Sequence, residues 1–207
     1  MLKHIVKEQY DRLAEKYDQR WQGYILSTLK CIINSIKLDG SETILDIACG
    51  TGELERLIIS SHPKQKITGI DISRRMLDVA RRKTEAYQNV NYIQAQASKL
   101  PFRDNSFDII VSANSFHYFL NPEAALAEMR RVAKQDGRVI IMDWCRDYLL
   151  CNIYDKFLKL YDPSHRVCYT QKECRLFFER VKLYVTSQQR IRLRFLWGMM
   201  ITSGVKD

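Results

Sequence analysis

Ile44-Leu45-Asp46-Ile47-Ala48-Cys49-Gly50-Thr51-Gly52-Glu53 decides the architecture: an apolar run enters a turn with two glycines and leaves it on a helix-like, acidic segment. At such a turn the missing Cβ atoms let a ligand lie against the backbone, and the helix start presents free N–H groups. A dinucleotide fingerprint needs a third Gly or Ala where Glu55 stands. Glu53 and Glu55 would instead set two carboxylates beside a pyrophosphate and repel it. The ligand expected here carries no phosphate at the turn and tolerates positive charge.

Twenty-one positions after Gly50, Asp71 closes the run Lys66-Ile67-Thr68-Gly69-Ile70. An acidic side chain at the tip of a second strand accepts two hydrogen bonds from a ribose diol. Alone, Asp71 would read as a carboxylate at a helix start; paired with the glycine turn, it reads as a nucleoside grip. A nucleoside with a free diol, no pyrophosphate and a cationic substituent describes S-adenosylmethionine.

Outward from this centre, strands and helices alternate. Helical spacing from Tyr10 to Ile36, with Leu13, Tyr17, Trp21, Ile25, Leu29 and Ile33 in step, predicts one or two helices ending near Asp39-Gly40. Strands are expected at 43–48, 66–70, 90–94, 107–112 and 138–143. Helices are expected at 53–60, 73–87 and 122–133, the last with Pro122 just inside its start. Two short helices, near 152–161 and 171–178, precede a β-rich tail from Val181 to about Val205. There Arg190, Arg192 and Arg194 alternate with Ile191, Leu193 and Phe195. The fold expected is α/β: a Rossmann-like sandwich with a central seven-stranded, mainly parallel sheet, an antiparallel C-terminal edge, and helices on both faces. One domain is expected over 1–207, comprising an N-terminal helical lid (1–40), a cofactor-binding core (41–143), and acceptor-side helices with terminal strands (144–207).

Composition agrees with an ordinary globule. The 207 residues are 46% hydrophobic and 28% charged, and a chain this long buries roughly 70% of its unfolded surface without needing disulfides or a structural metal. No run reaches the ~18 apolar residues of a membrane span, and the first residues lack the apolar core of a secretory signal. A cytoplasmic location is expected. The net charge is +9, and nine basic against three acidic residues lie between 164 and 207. Such a patch attracts phosphates, nucleic acid or anionic headgroups, although a solvated face is the plainer reading. Six cysteines (31, 49, 145, 151, 168 and 174) form no C-x-x-C pair and read as reduced, mostly buried thiols.

These motifs resemble the class I S-adenosylmethionine-dependent methyltransferases, particularly the branch that includes the ubiquinone/menaquinone-biosynthesis C-methyltransferases. Leu45 to Gly52 is similar to the family's first motif, and Gly69-Ile70-Asp71-Ile72-Ser73 with Met76 to its second. Leu100 to Asp108 and Glu128 to Arg138 resemble its links into the fourth and fifth strands. The resemblance covers nearly the whole chain. It implies that Asp46, Ala48, Gly50 and Gly52 cradle the methionine part and ribose, that Asp71 grips the ribose hydroxyls, and that Ile72 and Met76 sandwich the adenine. Gln96 and Ala97 stand where the family usually has Asp-Ala; a Gln carbonyl still accepts from the adenine amine but brings no charge. Ser112 and Asn114 would meet the methionine end.

Methyl transfer from a sulfonium is an in-line displacement, so the protein supplies proximity, alignment and, where needed, a base. His117 and Asp143, both expected at the carboxyl edge of the sheet, are the candidate bases. Tyr10, Tyr17 and Trp21 would form an aromatic lid; Trp144, Cys145, Tyr161, His165 and Tyr169 would form the opposite wall. The pairs Cys145/Cys151 and Cys168/Cys174, with His165, raise a soft-metal or arsenic reading, but their spacing fits no zinc template and no metal is expected. No Asn-Pro-Pro-Tyr-like segment follows the fourth strand. That favours a small-molecule acceptor, with nitrogen, oxygen or carbon left open. Two alternatives stand: an RNA or nucleotide-linked acceptor drawn by the basic tail with its aromatics (Phe177, Phe178, Tyr184, Phe195, Trp197), and a catalytically silent cofactor-binding partner.

Overall fold

The computed structural model describes residues 2–162, 165–193 and 197–206, with the backbone alone at Leu2, Lys3 and Trp197. Arg194 and Phe195 of the basic tail lie outside the described residues, as does the Trp197 side chain. The leading segment is two helices, α1 (Leu2–Leu13) and α2 (Tyr17–Ile36), joined by a single 3₁₀ turn. Then follow β1 (Thr43–Ile47), α3 (Glu53–Ser61), β2 (Lys66–Asp71), α4 (Arg74–Lys83), β3 (Val90–Gln94), β4 (Phe107–Ala113), α5 (Pro122–Val132) and β5 (Ala133–Trp144). The tail is α6 (Leu149–Tyr161), α7 (Gln171–Arg180), β6 (Leu183–Leu193) and β7 (Trp197–Lys206).

All seven strands share one sheet in the order β3-β2-β1-β4-β5-β7-β6. β1 to β5 are parallel, and β7 pairs antiparallel with both β5 and β6. The core strands are apolar throughout because helices cover both faces. Leu45, Ile110, Val139 and Ile141 face α5 and α7, while Ile44, Ile109, Ile140 and Met142 face α2 and α3. Alternation along each strand divides the two cores.

Local chemistry sets the element ends. Ser73 caps α4 by accepting from the Met76 N–H at 3.1 Å, and Asn121 caps α5. Thr170 and Glu173 form a capping box on α7. α4 stops at Lys83 rather than Tyr87, where the Thr84 side chain turns back to bond the Ala80 carbonyl. β5 begins five residues before the expected Arg138, because Ala133 already pairs with Phe107 and the register shifts after it. β6 forms the sheet edge with Arg190 and Arg192 exposed; edge charges discourage further strand addition.

One helix departs from the ordinary pattern. α6 buries Cys151 and Asp155 yet exposes Leu149, Ile153, Phe157, Leu160 and Tyr161. Among the described residues, no helix is long and apolar enough to cross a membrane.

Candidate functional site

Strand order reverses between β1 and β4, and at such a switch point the carboxyl ends of the strands open a crevice. A cavity of about 230 Å³ fills it. Its base is the turn after β1. Ala48, Gly50 and Gly52 all have left-handed φ, at 61°, 57° and 72°, a conformation that costs a glycine little. Gly50 lines the cavity, and a Cβ there would meet nothing nearer than the Met76 methyl at 3.8 Å. Gly52 differs from expectation: it lies off the cavity and packs behind the turn. A Cβ on it would stand 2.6 Å from the Tyr92 hydroxyl and 2.8 Å from the Ala80 Cβ. Its smallness seats α4 and β3 rather than a ligand.

The carboxyl groups are distributed unequally. Asp71 lines the cavity, accepting the Gly50 N–H at 3.1 Å and the Ser73 N–H at 2.8 Å. Burial lifts its carboxyl to about 6. Asp46 also reaches the cavity; burial first, then the nearby Glu55, pushes it well above the carboxylate range. Glu53 lines the cavity and pairs with Arg56 at 2.6 Å and Lys83 at 3.3 Å. The expectation that Glu53 and Glu55 jointly repel a diphosphate needs correcting. Glu55 points away from the cavity, is fully buried, and neither of its oxygens has a partner. Burial raises it to about 8, so below that pH it is neutral. The anionic lining comes from Glu53 and Asp71.

Ile72, Met76, Gln96 and Ala97 line the side of the cavity expected to take the adenine. Asn114, with φ 57°, lines its far end and binds α2: its amide oxygen accepts from Tyr24 at 2.8 Å and its nitrogen donates to Thr28 at 2.9 Å. Ser112 does not reach the cavity. It is fully buried and bonds the Ser115 hydroxyl at 2.7 Å, because strand alternation turns it into the core side.

His117 and Asp143 do meet. The ring Nδ1 lies 2.7 Å from one carboxylate oxygen, and the His117 backbone N–H donates to the other, also at 2.7 Å. Both are buried, and the imidazole stacks on Trp144 with centroids 5.0 Å apart and planes 9° from parallel. Neither lines the cavity. The two candidate bases do lie at the carboxyl edge of the sheet, but the 3₁₀ turn Phe116–Tyr118 tucks His117 beneath the wall and presents Tyr118 to the cavity.

Tyr10 and Tyr17 cover the cavity, and Tyr10 meets Tyr118 edge-on at 5.7 Å. Polar ties fasten these leading elements to the body. Ser73 donates to Asp11 at 2.5 Å, Arg82 pairs with Glu15 at 2.6 Å, and Lys83 pairs with Asp18. Trp21 is 42% exposed and Tyr161 70% exposed, and both stay off the cavity, as do Trp144, Cys145, His165 and Tyr169. From the segment after β5, only Arg166 among the described residues lines it. Sequence reasoning passed over Val6, Phe119 and Arg166; the available signal was adjacency, since each neighbours a segment already singled out.

Residues 45–141 match the methyltransferase domain family. The chain is 37% identical over 138 residues to demethylmenaquinone methyltransferase of Thermotoga maritima, covering 65% of this chain and 59% of that protein. It is 30% identical over 149 residues to a ubiquinone/menaquinone biosynthesis C-methyltransferase of Desulfotalea psychrophila, covering 67% and 57%. It thus spans less than two thirds of either relative's length. A solved S-adenosylmethionine-dependent methyltransferase from Aquifex aeolicus superposes with a TM-score of 0.72 at 21% identity, covering 95% of this chain and 98% of that one.

Proposed function

We propose, from the match of residues 45–141 to the methyltransferase domain family, that the chain is an S-adenosylmethionine-dependent methyltransferase that acts on a small organic acceptor. The observation that carries this is the cavity itself, where the Gly50 turn, Asp71 and the Ile72/Met76 wall converge at the switch point beneath Tyr10 and Tyr17. The residues fit the cofactor. Gly50 leaves open backbone, Asp71 offers a carboxylate to a diol, and the acidic lining suits a cation better than a diphosphate.

S-adenosylmethionine supplies a methyl group already activated on a sulfonium. The chain's own residues bind and align. Asp71 would hold the ribose hydroxyls, Ile72 and Met76 the faces of the adenine, and the Gln96 amide its amino edge. Asp46, Ala48, Gly50 and Asn114 would bound the methionine part. Tyr10, Tyr17, Ile25 and Leu29 would exclude water, which is the role assigned to residues 1–40. The acceptor would enter between Tyr118 and Arg166. His117 and Asp143 would act as positioning residues, fixing the wall that carries Ser115 and Tyr118. A cytoplasmic setting suits six free thiols, and the relatives' names, both of quinone-pathway enzymes, support a small-molecule acceptor.

Two measurements test this. Calorimetry should show S-adenosylhomocysteine binding with no NADH binding; the reverse overturns the proposal. Methyl-labelled cofactor incubated with a fractionated cell extract should label a small molecule, whereas label in RNA would replace the acceptor class.

A further inference from the structure

Behind the wall that carries Arg166, the buried face of α6 meets the segment 165–169. Cys151 and Asp155 lie four residues apart on one side of α6, and His165 and Cys168 face them from the segment. All four are buried. One ligand atom each from Asp155, His165 and Cys168 lie within 4.8 Å of one another, and the Cys151 thiol neighbours Cys168 just outside that set. None of the four lines the methyl-transfer cavity, although the His165 ring lies 5.6 Å from that of His117.

We propose that Asp155, His165 and Cys168, with Cys151 as the fourth ligand, form a structural site for a borderline-soft divalent cation such as Zn²⁺. The donor set of one carboxylate oxygen, one imidazole nitrogen and two sulfurs is what zinc accepts in tetrahedral structural sites. Bonds of about 2.0–2.3 Å set ligand atoms about 3.3–3.8 Å apart, so the farthest pair of the three-residue set must tighten by about an ångström, the 2.8 Å contact between Asp155 and His165 must open slightly, and Cys151, outside that set, must swing inward. Asp155 is already ordered: its Oδ1 accepts from the Cys168 N–H at 2.6 Å and faces His165 Nε2 at 2.8 Å, and its Oδ2 pairs with Lys159 at 2.7 Å. The other His165 nitrogen, Nδ1, is buried without a partner, so the ring can supply a ligand atom through small rotations. Metal entry would release the thiol protons and leave Lys159 as the outer partner of the carboxylate, balancing the thiolates.

The consequence reaches the methyl-transfer cavity. His165 and Cys168 bracket Arg166, so a cation would pin the segment that points Arg166 at the acceptor side. It would do so by holding α6, whose outer face is exposed and whose packing rests on few buried residues.

The test uses the full, untagged chain stripped with a chelator and titrated with Co²⁺. The expected result is a single equivalent bound, with thiolate-to-cobalt charge-transfer and tetrahedral d–d bands, displaced by Zn²⁺. Cys168→Ser should roughly halve the charge-transfer intensity and weaken binding by more than the roughly 10–100-fold that outer-shell changes cost, and Cys151→Ser combined with it should abolish the bands. Cys31→Ser and Cys174→Ser, outside the cluster, should bind as the parent does. Zn²⁺ should raise the melting temperature of the parent but not of Cys168→Ser, with circular dichroism confirming that both are folded. A folded parent without charge-transfer bands overturns the proposal. So does equal Co²⁺ binding by the parent and Cys168→Ser. S-adenosylhomocysteine binding, measured in parallel, reports on the separate cofactor site.

Discussion

The Glu55 carboxyl occupies the space that a side chain on Gly69 would need: Oε1 lies 2.5 Å from where a Cβ on Gly69 would stand. A strand glycine thus makes room for a buried acid that has no hydrogen-bond partner. Gly69→Ala should cost about 1–3 kcal/mol by overpacking, and Glu55→Gln combined with it should not rescue, since the amide is as large. Denaturant unfolding of both variants measures this.

The same carboxyl makes stability depend on pH. Its folded value of about 8 lies above its ordinary 4.5, so the protonated form favours folding. That contribution is complete below about pH 4.5 and is lost as pH rises through 8. Unfolding free energy should therefore decline from about pH 4.5 to about pH 8 and level off above it, and Glu55→Gln should flatten this limb. Parallel parent and variant slopes would contradict it.

Asp71 should govern cofactor affinity. Asp71→Asn should weaken S-adenosylhomocysteine binding by about 2–3 kcal/mol, the worth of charge-assisted hydrogen bonds. Because burial places its carboxyl near 6, affinity should fall as pH drops through 6 in the parent and stay level in the variant. Calorimetry between pH 5 and 7.5 separates these outcomes.

The two turn glycines should fail differently. Gly50→Ala puts a methyl into the cavity at a left-handed position, costing affinity along with about 1 kcal/mol of strain. Gly52→Ala collides with Tyr92 and Ala80, so its loss should appear in melting temperature while the surviving folded protein binds ligand. Thermal melts and titrations on both variants give the comparison.

Asp143 accepts three N–H groups: His117 backbone and ring, and the Trp144 backbone at 2.7 Å. Asp143→Ala should cost about 3–5 kcal/mol by stranding buried donors. Asp143→Asn, which retains one acceptor oxygen, should cost less. If the pair only positions the wall, His117→Asn should alter KM for acceptor more than kcat.

Much of this was legible in the residues. Apolar runs between turn signals marked five parallel strands, and the Gly50–Asp71 interval became a hydrogen bond between strand tips. What stayed hidden was direction. Glu55 and Gly69 are fourteen residues apart, and their fit appears only when α3 lies on β2. Ser112 sits on a strand apolar on both faces, where composition does not say which way a hydroxyl turns. His117 is oriented by Asp143, twenty-six residues later, and no local pattern announces such a partner. The exposed apolar stripe of α6 reads in sequence like any core-facing helix.

The leading elements are moored to α4 partly through ion pairs, the exposed Arg82 with Glu15 and the half-buried Lys83 with Asp18. The exposed pair is worth only ~0.2–1 kcal/mol and fades in salt. Ionic strength is thus a handle on how readily α1 and the turn after it part from the crevice, while the buried Ile25, Leu29, Ile32 and Ile36 keep α2 on the sheet, and spent nucleoside should depart faster from a saline buffer than from a dilute one.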